Sequence, residues 1–172
     1  LKYNLNTIKW KKYTVVGNFP YNISTQILFK VLDHRNSITQ VLGMFQKEVA
    51  ERICSSPKSK KYGIPSVLMQ AFFNCEILFN VSRENFYPMP KVESSVIKLT
   101  RNNTINLKCD YKKFVSVVKA GFSQRRKKMK NALKNFTTLN NDNTNPLFLK
   151  RAEELDIIDF IDLTNILFPY RT

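Results

Sequence analysis

Apolar residues recur along this chain at two spacings, and the point where one gives way to the other divides it. Thr14 to Gly17 is a short β-branched run ending in Gly-Asn, the pattern of a buried strand that stops sharply. Ser24 then reads as a helix N-cap. It precedes TQILFKVLD, where Ile27, Leu28, Val31 and Leu32 repeat at i, i+1, i+4 and i+5, one helix face. Ile38 to Phe45 reads as the next strand, and KEVAERICS as a helix in which Glu48 and Arg52 stand four apart as a supporting pair. A polar, basic loop, SPKSKKYG, leads into an expected helix in PSVLMQAFF; CEILFNV and VESSVIKLT read as strands flanking a Pro-rich turn. This alternation predicts a mostly parallel α/β sheet whose last two strands form an antiparallel pair at its edge.

TRNNTINLKC breaks the pattern. From Asp110 onward the periodicity is helical, in DYKKFVSVVKAGF, SQRRKKMKNALKNF, PLFLKRAEEL and FIDLTNILF, with NNDNTN as a loop. The expected organisation is a sheet domain over 1–104 and a small helical domain over 105–172. No internal repeat is visible. Leu1 is not an initiator Met, and LKYNLNTIKWKKYTVVGN runs directly into an internal strand, so residues are expected in front of it.

Composition narrows the partner. With 172 residues, 43% of them hydrophobic, the chain can bury a sizeable core. Its 28 Lys and Arg against 13 acidic residues leave a net charge of +15, which favours a polyanion, nucleic acid ahead of an anionic membrane surface. No apolar run approaches the roughly 20 residues that span a bilayer, and no signal peptide opens the chain, so a cytoplasmic, membrane-free protein is expected. Cys54, Cys75 and Cys109 are odd in number and unpaired in C-x-x-C fashion, and His34 is the one histidine. A metal site and a disulfide framework are therefore not expected; the thiols read as small buried hydrophobes, and His34 as a surface or capping residue at a helix end.

Three segments carry candidate chemistry. Asn18-Phe19-Pro20-Tyr21 follows the first strand, at the carboxyl end where ligands of open α/β sheets bind. The amine of adenine is a poor nucleophile because its lone pair is delocalised into the ring. Hydrogen bonds from both amine hydrogens to fixed oxygens favour pyramidal nitrogen and aim that lone pair at an incoming methyl group. Asn18 offers one acceptor in its side chain. The Phe19 carbonyl offers another, since Pro20 biases its predecessor to extended geometry, and Tyr21 can stack on the base. The same four residues also suit an ordinary turn in which Tyr21 merely packs. In Phe86-Tyr87-Pro88-Met89-Pro90-Lys91-Val92 two prolines stiffen a loop that can hold an aromatic ring; Phe86 is the candidate second stacking face, with a core-covering turn as the alternative. In SQRRKKMKNALK the residues Arg125, Arg126, Lys127, Lys128, Lys130 and Lys134 cluster. Arg126, Lys130 and Lys134 fall at i, i+4, i+8, while Phe122, Met129, Leu133 and Phe136 recur on another face. With no acid read nearby, phosphate binding is favoured over a solvated surface.

Together these segments resemble the ribosomal RNA adenine dimethyltransferases of the KsgA type. GNFPYNIS is similar to that family's GNLPYNIS target-base motif, MFQKEVAERI to its M-x-Q-K-E-V-x-x-R segment, FYPMPKVESSVIKL to its F-x-P-x-P-K-V-[DE]-S loop and strand, and GFSQRRKKMKNAL to its F-x-Q-R-R-K helix. The four occur in order and cover about Val15 to Phe136; Phe19 stands where the family has Leu. The resemblance implies the C-terminal half of a class I, Rossmann-like methyltransferase sheet followed by a small all-helical RNA-binding domain. It also implies S-adenosylmethionine as cofactor, with Asn18 among its contacts, and in-line methyl transfer driven by positioning. Ribosomal RNA in a small-subunit precursor, with two adjacent adenosines near its 3′ end, is the implied partner, and the protein is expected to be a monomer. The family's E-x-G-x-G-x-G cofactor loop has no counterpart, because Gly17, Gly43, Gly63 and Gly121 never cluster. Leu1 falls just after the position of the family's adenine-binding Asp, so roughly 80 to 100 preceding residues are expected, and the chain alone is expected to be inactive. Two alternatives remain: a macrolide-resistance methyltransferase acting on large-subunit RNA, disfavoured by the F-x-Q-R-R-K segment, and a non-catalytic ribosome-assembly factor, disfavoured by Asn18 and Tyr21.

Overall fold

The computed structural model describes residues 11–102, 107–136 and 145–169. Its contacts divide the chain into two compact units, one from the described parts of Leu1–Cys54 and Phe72–Thr104, the other from Ser55–Ala71 and the described parts of Ile105–Thr172. Ser55–Ala71, grouped by sequence with the sheet, thus belongs to the second unit.

The first unit runs β1 (Tyr13–Asn18), α1 (Ser24–Asp33), β2 (Ile38–Gln46), α2 (Lys47–Ile53), then β3 (Phe73–Val81) and β4 (Ser94–Arg101). The strand order is β1-β2-β4-β3, with β1 parallel to β2 and β4 antiparallel to both of its neighbours. β1, β2 and β3 therefore share a direction, as expected of a mostly parallel sheet. β4, however, inserts between β2 and β3. Burial accounts for the order. Ser94, Ser95, Ile97 and Leu99 of β4 are buried, whereas Leu78 and Phe79 of the edge strand β3 stay exposed.

The apolar face of α1 is buried through Ile27, Leu28, Val31 and Leu32, and Val41, Phe45, Ile97 and Leu99 are fully buried in the sheet. Burying side chains of this size stabilises by about 1.5–3 kcal/mol each. Glu48 and Arg52 form the expected pair, at 2.8 Å. Ser24 differs from expectation. It is the first helical residue, after Ile23, and its Oγ donates to the Pro20 carbonyl (3.2 Å) instead of capping a helix N–H. His34 ends α1, its backbone N–H donating to the Lys30 carbonyl (3.1 Å).

The second unit comprises α3 (Ile64–Gln70), α4 (Tyr111–Ser123), α5 (Met129–Ala132) and α6 (Ile157–Leu167), with 3₁₀ turns at Lys134–Phe136, Pro146–Leu149 and Ala152–Glu154. Tyr62, Phe114, Phe148 and Phe160 are fully buried, and the Phe122 ring lies 6.0 Å from Tyr62 and 5.9 Å from Phe160. Two expected helices are corrected. SQRRKKMKNALKNF holds a turn and then the four residues of α5, and PLFLKRAEEL holds two 3₁₀ turns. The cause in both is long-range backbone pairing. Met129 N–H donates to the Lys150 carbonyl (2.8 Å) and Lys128 bridges Arg151, which pulls both segments out of helical geometry despite the helix propensity of Lys and Arg. The NNDNTN loop, Asn145 apart, and the leading residues 1–10 lie outside the described residues.

Asp110 caps α4 by accepting from Lys113 N–H (2.8 Å). Losing such a cap costs about 1 kcal/mol. Asp110→Ala should lower the unfolding free energy by that amount in a urea titration, and an unchanged midpoint would show the cap to be idle.

Candidate active site

The site begins with a register. Gly17 of β1 sits beside Gly43 of β2, and Phe19 N–H continues that ladder past the end of β1 by donating to the Met44 carbonyl (3.3 Å). Two residues beyond Gly17, the Phe19 ring folds back over the glycine pair and meets Phe45 at a centroid distance of 5.0 Å. The next residues are tied down in turn. The Pro20 carbonyl accepts from Ile23 N–H and Ser24 Oγ, both at 3.2 Å, closing a 3₁₀ turn over Tyr21–Ile23. The Tyr21 hydroxyl is hydrogen-bonded to Ser94 Oγ at the start of β4 (2.5 Å).

Asn18, Phe19, Pro20 and Tyr21 line a cleft of about 320 Å³ together with Phe86, Tyr87, Pro88 and Pro90. All the residues expected to hold a base, including Phe86, converge on it. Its far wall hangs from a 3₁₀ turn at Arg83–Asn85, capped by Ser82 Oγ accepting from Glu84 N–H (3.4 Å). The wall's other end is fastened to α2. Lys47 N–H donates to the Glu93 carbonyl (2.9 Å) and Lys47 Nζ to the Glu93 carboxylate (2.5 Å). That hydrogen bond holds the Glu93 carboxyl below, and the Lys47 ammonium above, their ordinary ranges. The sequence pattern singles out neither Tyr87 nor Ser94 as a site residue. Tyr87 was within reach, standing between Phe86 and Pro88. Ser94 gave no local signal, since its partner Tyr21 is 73 residues away.

The basic cluster lies in the second unit and is not one helical stripe. Arg125 is half-buried and structural: Nε donates to Glu153 (2.7 Å), and Nη2 to the Lys60 (2.8 Å) and Ser59 (3.3 Å) carbonyls. This corrects the expectation that the cluster meets no acid. Arg126, Lys127, Lys128, Lys130 and Lys134 are exposed. Met129 and Leu133 are fully buried beneath them, as the apolar pattern requires. The three cysteines are free; burial pushes the Cys54 and Cys109 thiols up to about 11 and raises Cys75 further. Among the described residues there is no acidic or His/Cys cluster able to hold a metal, and no helix long and apolar enough to cross a membrane.

The fold resembles that of a dimethyladenosine transferase from Plasmodium falciparum, with a TM-score of 0.78 at 25% identity over 91% of this chain and 67% of that one. It shares its fold, at 19% identity and a TM-score of 0.62, with the 23S rRNA methyltransferase ErmE, over 90% of this chain and 66% of that one. The sheet is that of a Rossmann-like methyltransferase fold. Residues 2–167 match the family described as ribosomal RNA adenine dimethylase, and the chain belongs to that family. Relatives named ribosomal RNA small subunit methyltransferase A are 56% identical in Cytophaga hutchinsonii, over 91% of this chain, and 50% identical in Flavobacterium johnsoniae, over 95%. The chain spans 60% and 63% of the length of those two proteins.

Because Arg125 is engaged by one carboxylate and two carbonyls, Arg125→Ala should destabilise the fold by about 1–2 kcal/mol, partial exposure of the ion pair keeping the figure low. Chemical denaturation measures this; a wild-type midpoint would return Arg125 to the surface set.

Proposed function

We propose that the protein methylates the exocyclic amine of adenosines in ribosomal RNA, with S-adenosylmethionine as methyl donor. Two adjacent adenosines near the 3′ end of small-subunit RNA are the proposed target, in a soluble, cytoplasmic, monomeric protein. The observation that carries this is the convergence of Asn18, Phe19, Tyr21 and Phe86 on one cleft at the carboxyl end of β1. Asn18 Oδ1 and the Phe19 carbonyl oxygen accept the two amine hydrogens, so that the nitrogen lone pair is released from the ring and aimed. Tyr21 and Phe86 hold the base by stacking, worth about 1–3 kcal/mol per face.

The described residues test the cofactor's fit in part. Gly17 and Gly43 support Phe19, Gly63 precedes α3, and Gly121 packs on Met129 and Ala152, so no glycine here is free to form a cofactor loop. Asn18 is the one cofactor contact assigned to this chain. When bound, the cofactor supplies an electrophilic methyl; this chain's own part is to hold and orient the amine.

The helical unit is proposed to bind RNA through Arg126, Lys127, Lys128, Lys130 and Lys134, with Arg125 bracing the turn that presents them. Phosphate contacts of this kind give affinity without reading sequence. A large-subunit target is not favoured, because the curated relatives carry small-subunit names and the likeness to ErmE is one of fold.

Asn18→Ala in the complete protein should lower single-turnover methyl transfer on the order of 100-fold while RNA affinity barely moves. A folded variant that methylates at the wild-type rate would remove the mechanism.

Arg126→Ala and Lys130→Ala together should weaken RNA binding and flatten the slope of log affinity against log salt by about 0.7–0.9 per lost contact. An unaltered slope in the double variant would reduce the cluster to a solvated surface.

A further inference from the structure

We propose that Gly43, which contributes nothing to the cleft lining, is a positioning residue for methyl transfer: it makes room for the Phe19 ring and thereby sets the Phe19 carbonyl. The inference rests on the cleft being the methyl-transfer site. Gly17 and Gly43 are paired in register, so on the face they share two neighbouring strands lack side chains side by side. Phe19 follows Gly17, and Phe45 follows Gly43, by two residues, which puts all four on that face. The Phe19 ring occupies the bare patch. A methyl on Gly43 would stand 2.7 Å from Phe19 Cδ2, and closer still to Cε2, and 3.1 Å from Phe45 Cε2; one on Gly17 would meet Phe19 Cε1 at 3.0 Å. Gly43 is buried, and Phe45 backs the ring at 5.0 Å.

Any side chain at Gly43 must therefore displace the ring. Phe19 is itself part of the cleft wall, so a displaced ring either enters the space of the base or drags the Phe19 peptide with it. The backbone resists the second course, because Phe19 N–H is bonded to Met44 and the Pro20 carbonyl to Ile23 and Ser24. Strain thus falls on the one peptide whose carbonyl must be aimed. Effects of this kind are large, because a misplacement of about 1 Å can cost on the order of 100-fold in rate.

The experiment is a cycle of Gly43→Ala, Phe19→Leu and the double variant in the complete protein, assayed on unmethylated small-subunit RNA with S-adenosylmethionine. Gly63→Ala serves as control, since a methyl there meets no atom closer than 4.0 Å. Gly43→Ala should lower kcat at least tenfold with KM for RNA within about threefold. Leucine lacks Cε2, the atom nearest the new methyl, and its smaller branched end can turn its δ carbons away, so adding Phe19→Leu should restore most of the lost kcat, and thermal unfolding should show the same coupling. An unchanged kcat in Gly43→Ala, or a loss that Phe19→Leu does not relieve, would overturn the proposal while leaving the functional reading intact. A wild-type protein that transfers no methyl to RNA would overturn the functional reading first, and the coupling in thermal unfolding would then report packing alone.

Discussion

A ring can lie flat on a β-sheet where the residues beneath it carry no side chains, and Gly17 paired with Gly43 meets that condition next to the end of β1. The rest of the site depends on this contact. Full burial of a phenyl ring contributes about 1.5–3 kcal/mol and a typical hydrogen bond about 0.5–1.5 kcal/mol, so the half-buried Phe19 ring and the bond from Phe19 N–H to Met44 anchor the peptide on a comparable scale. The ring sets where the peptide sits, and the bond to Met44 sets its direction. With Phe19 fixed, Asn18 before it and Pro20 after it have little choice of position. The chain can then turn through Tyr21 without letting the strand end fray.

Tyr21 extends the same constraint across the sheet. Its hydroxyl reaches Ser94, the first residue of the central strand β4, so the turn is tied to the sheet at two ends: through Phe19 to β2 and through Tyr21 to β4. An aromatic ring held in this way has already lost the rotamer freedom that stacking would otherwise remove, and pre-organisation of that kind raises affinity without new contacts. The Lys47–Glu93 contacts do similar work for the opposite wall, fastening the end of the proline-stiffened loop to the start of α2.

Local pattern made much of this legible. The four strands, α1, α2, α4 and α6 follow from spacing, and Asn18, Phe19, Tyr21 and Phe86 were picked out by residue type and placement at a strand end. What pattern hid was set by partners distant in sequence. Arg125 looks like its basic neighbours until Glu153 and the Ser59 and Lys60 carbonyls are brought to it. The segment after Gln124 has helix-forming composition, yet Lys150 and Arg151 claim its backbone. Ser24 has the chemistry of a cap and uses its hydroxyl on Pro20 instead. Gly43 reads as an unremarkable strand glycine until the register sets it beside Gly17. In each case a short-range preference worth tenths of a kcal/mol yields to tertiary contacts worth more.

On the proposed function, the cleft and the cationic surface divide recognition by chemistry. The cleft is lined by one amide, three prolines, two phenylalanines and two tyrosines, with no carboxylate, imidazole or ammonium among them. A phosphate entering such a lining gains no charge pairing and loses its hydration, so the cleft disfavours the most abundant group of an RNA chain. A base gains stacking there. The exposed Lys and Arg of the helical unit reverse the preference, attracting phosphate and offering a base little. Burial keeps the raised thiols protonated near neutral pH, and none of them lines the cleft. On the proposed function, the reaction would draw its selectivity from the neutrality of the cleft: charge would hold the substrate backbone elsewhere, and the same physics that admits a base would disfavour a phosphate in the cleft.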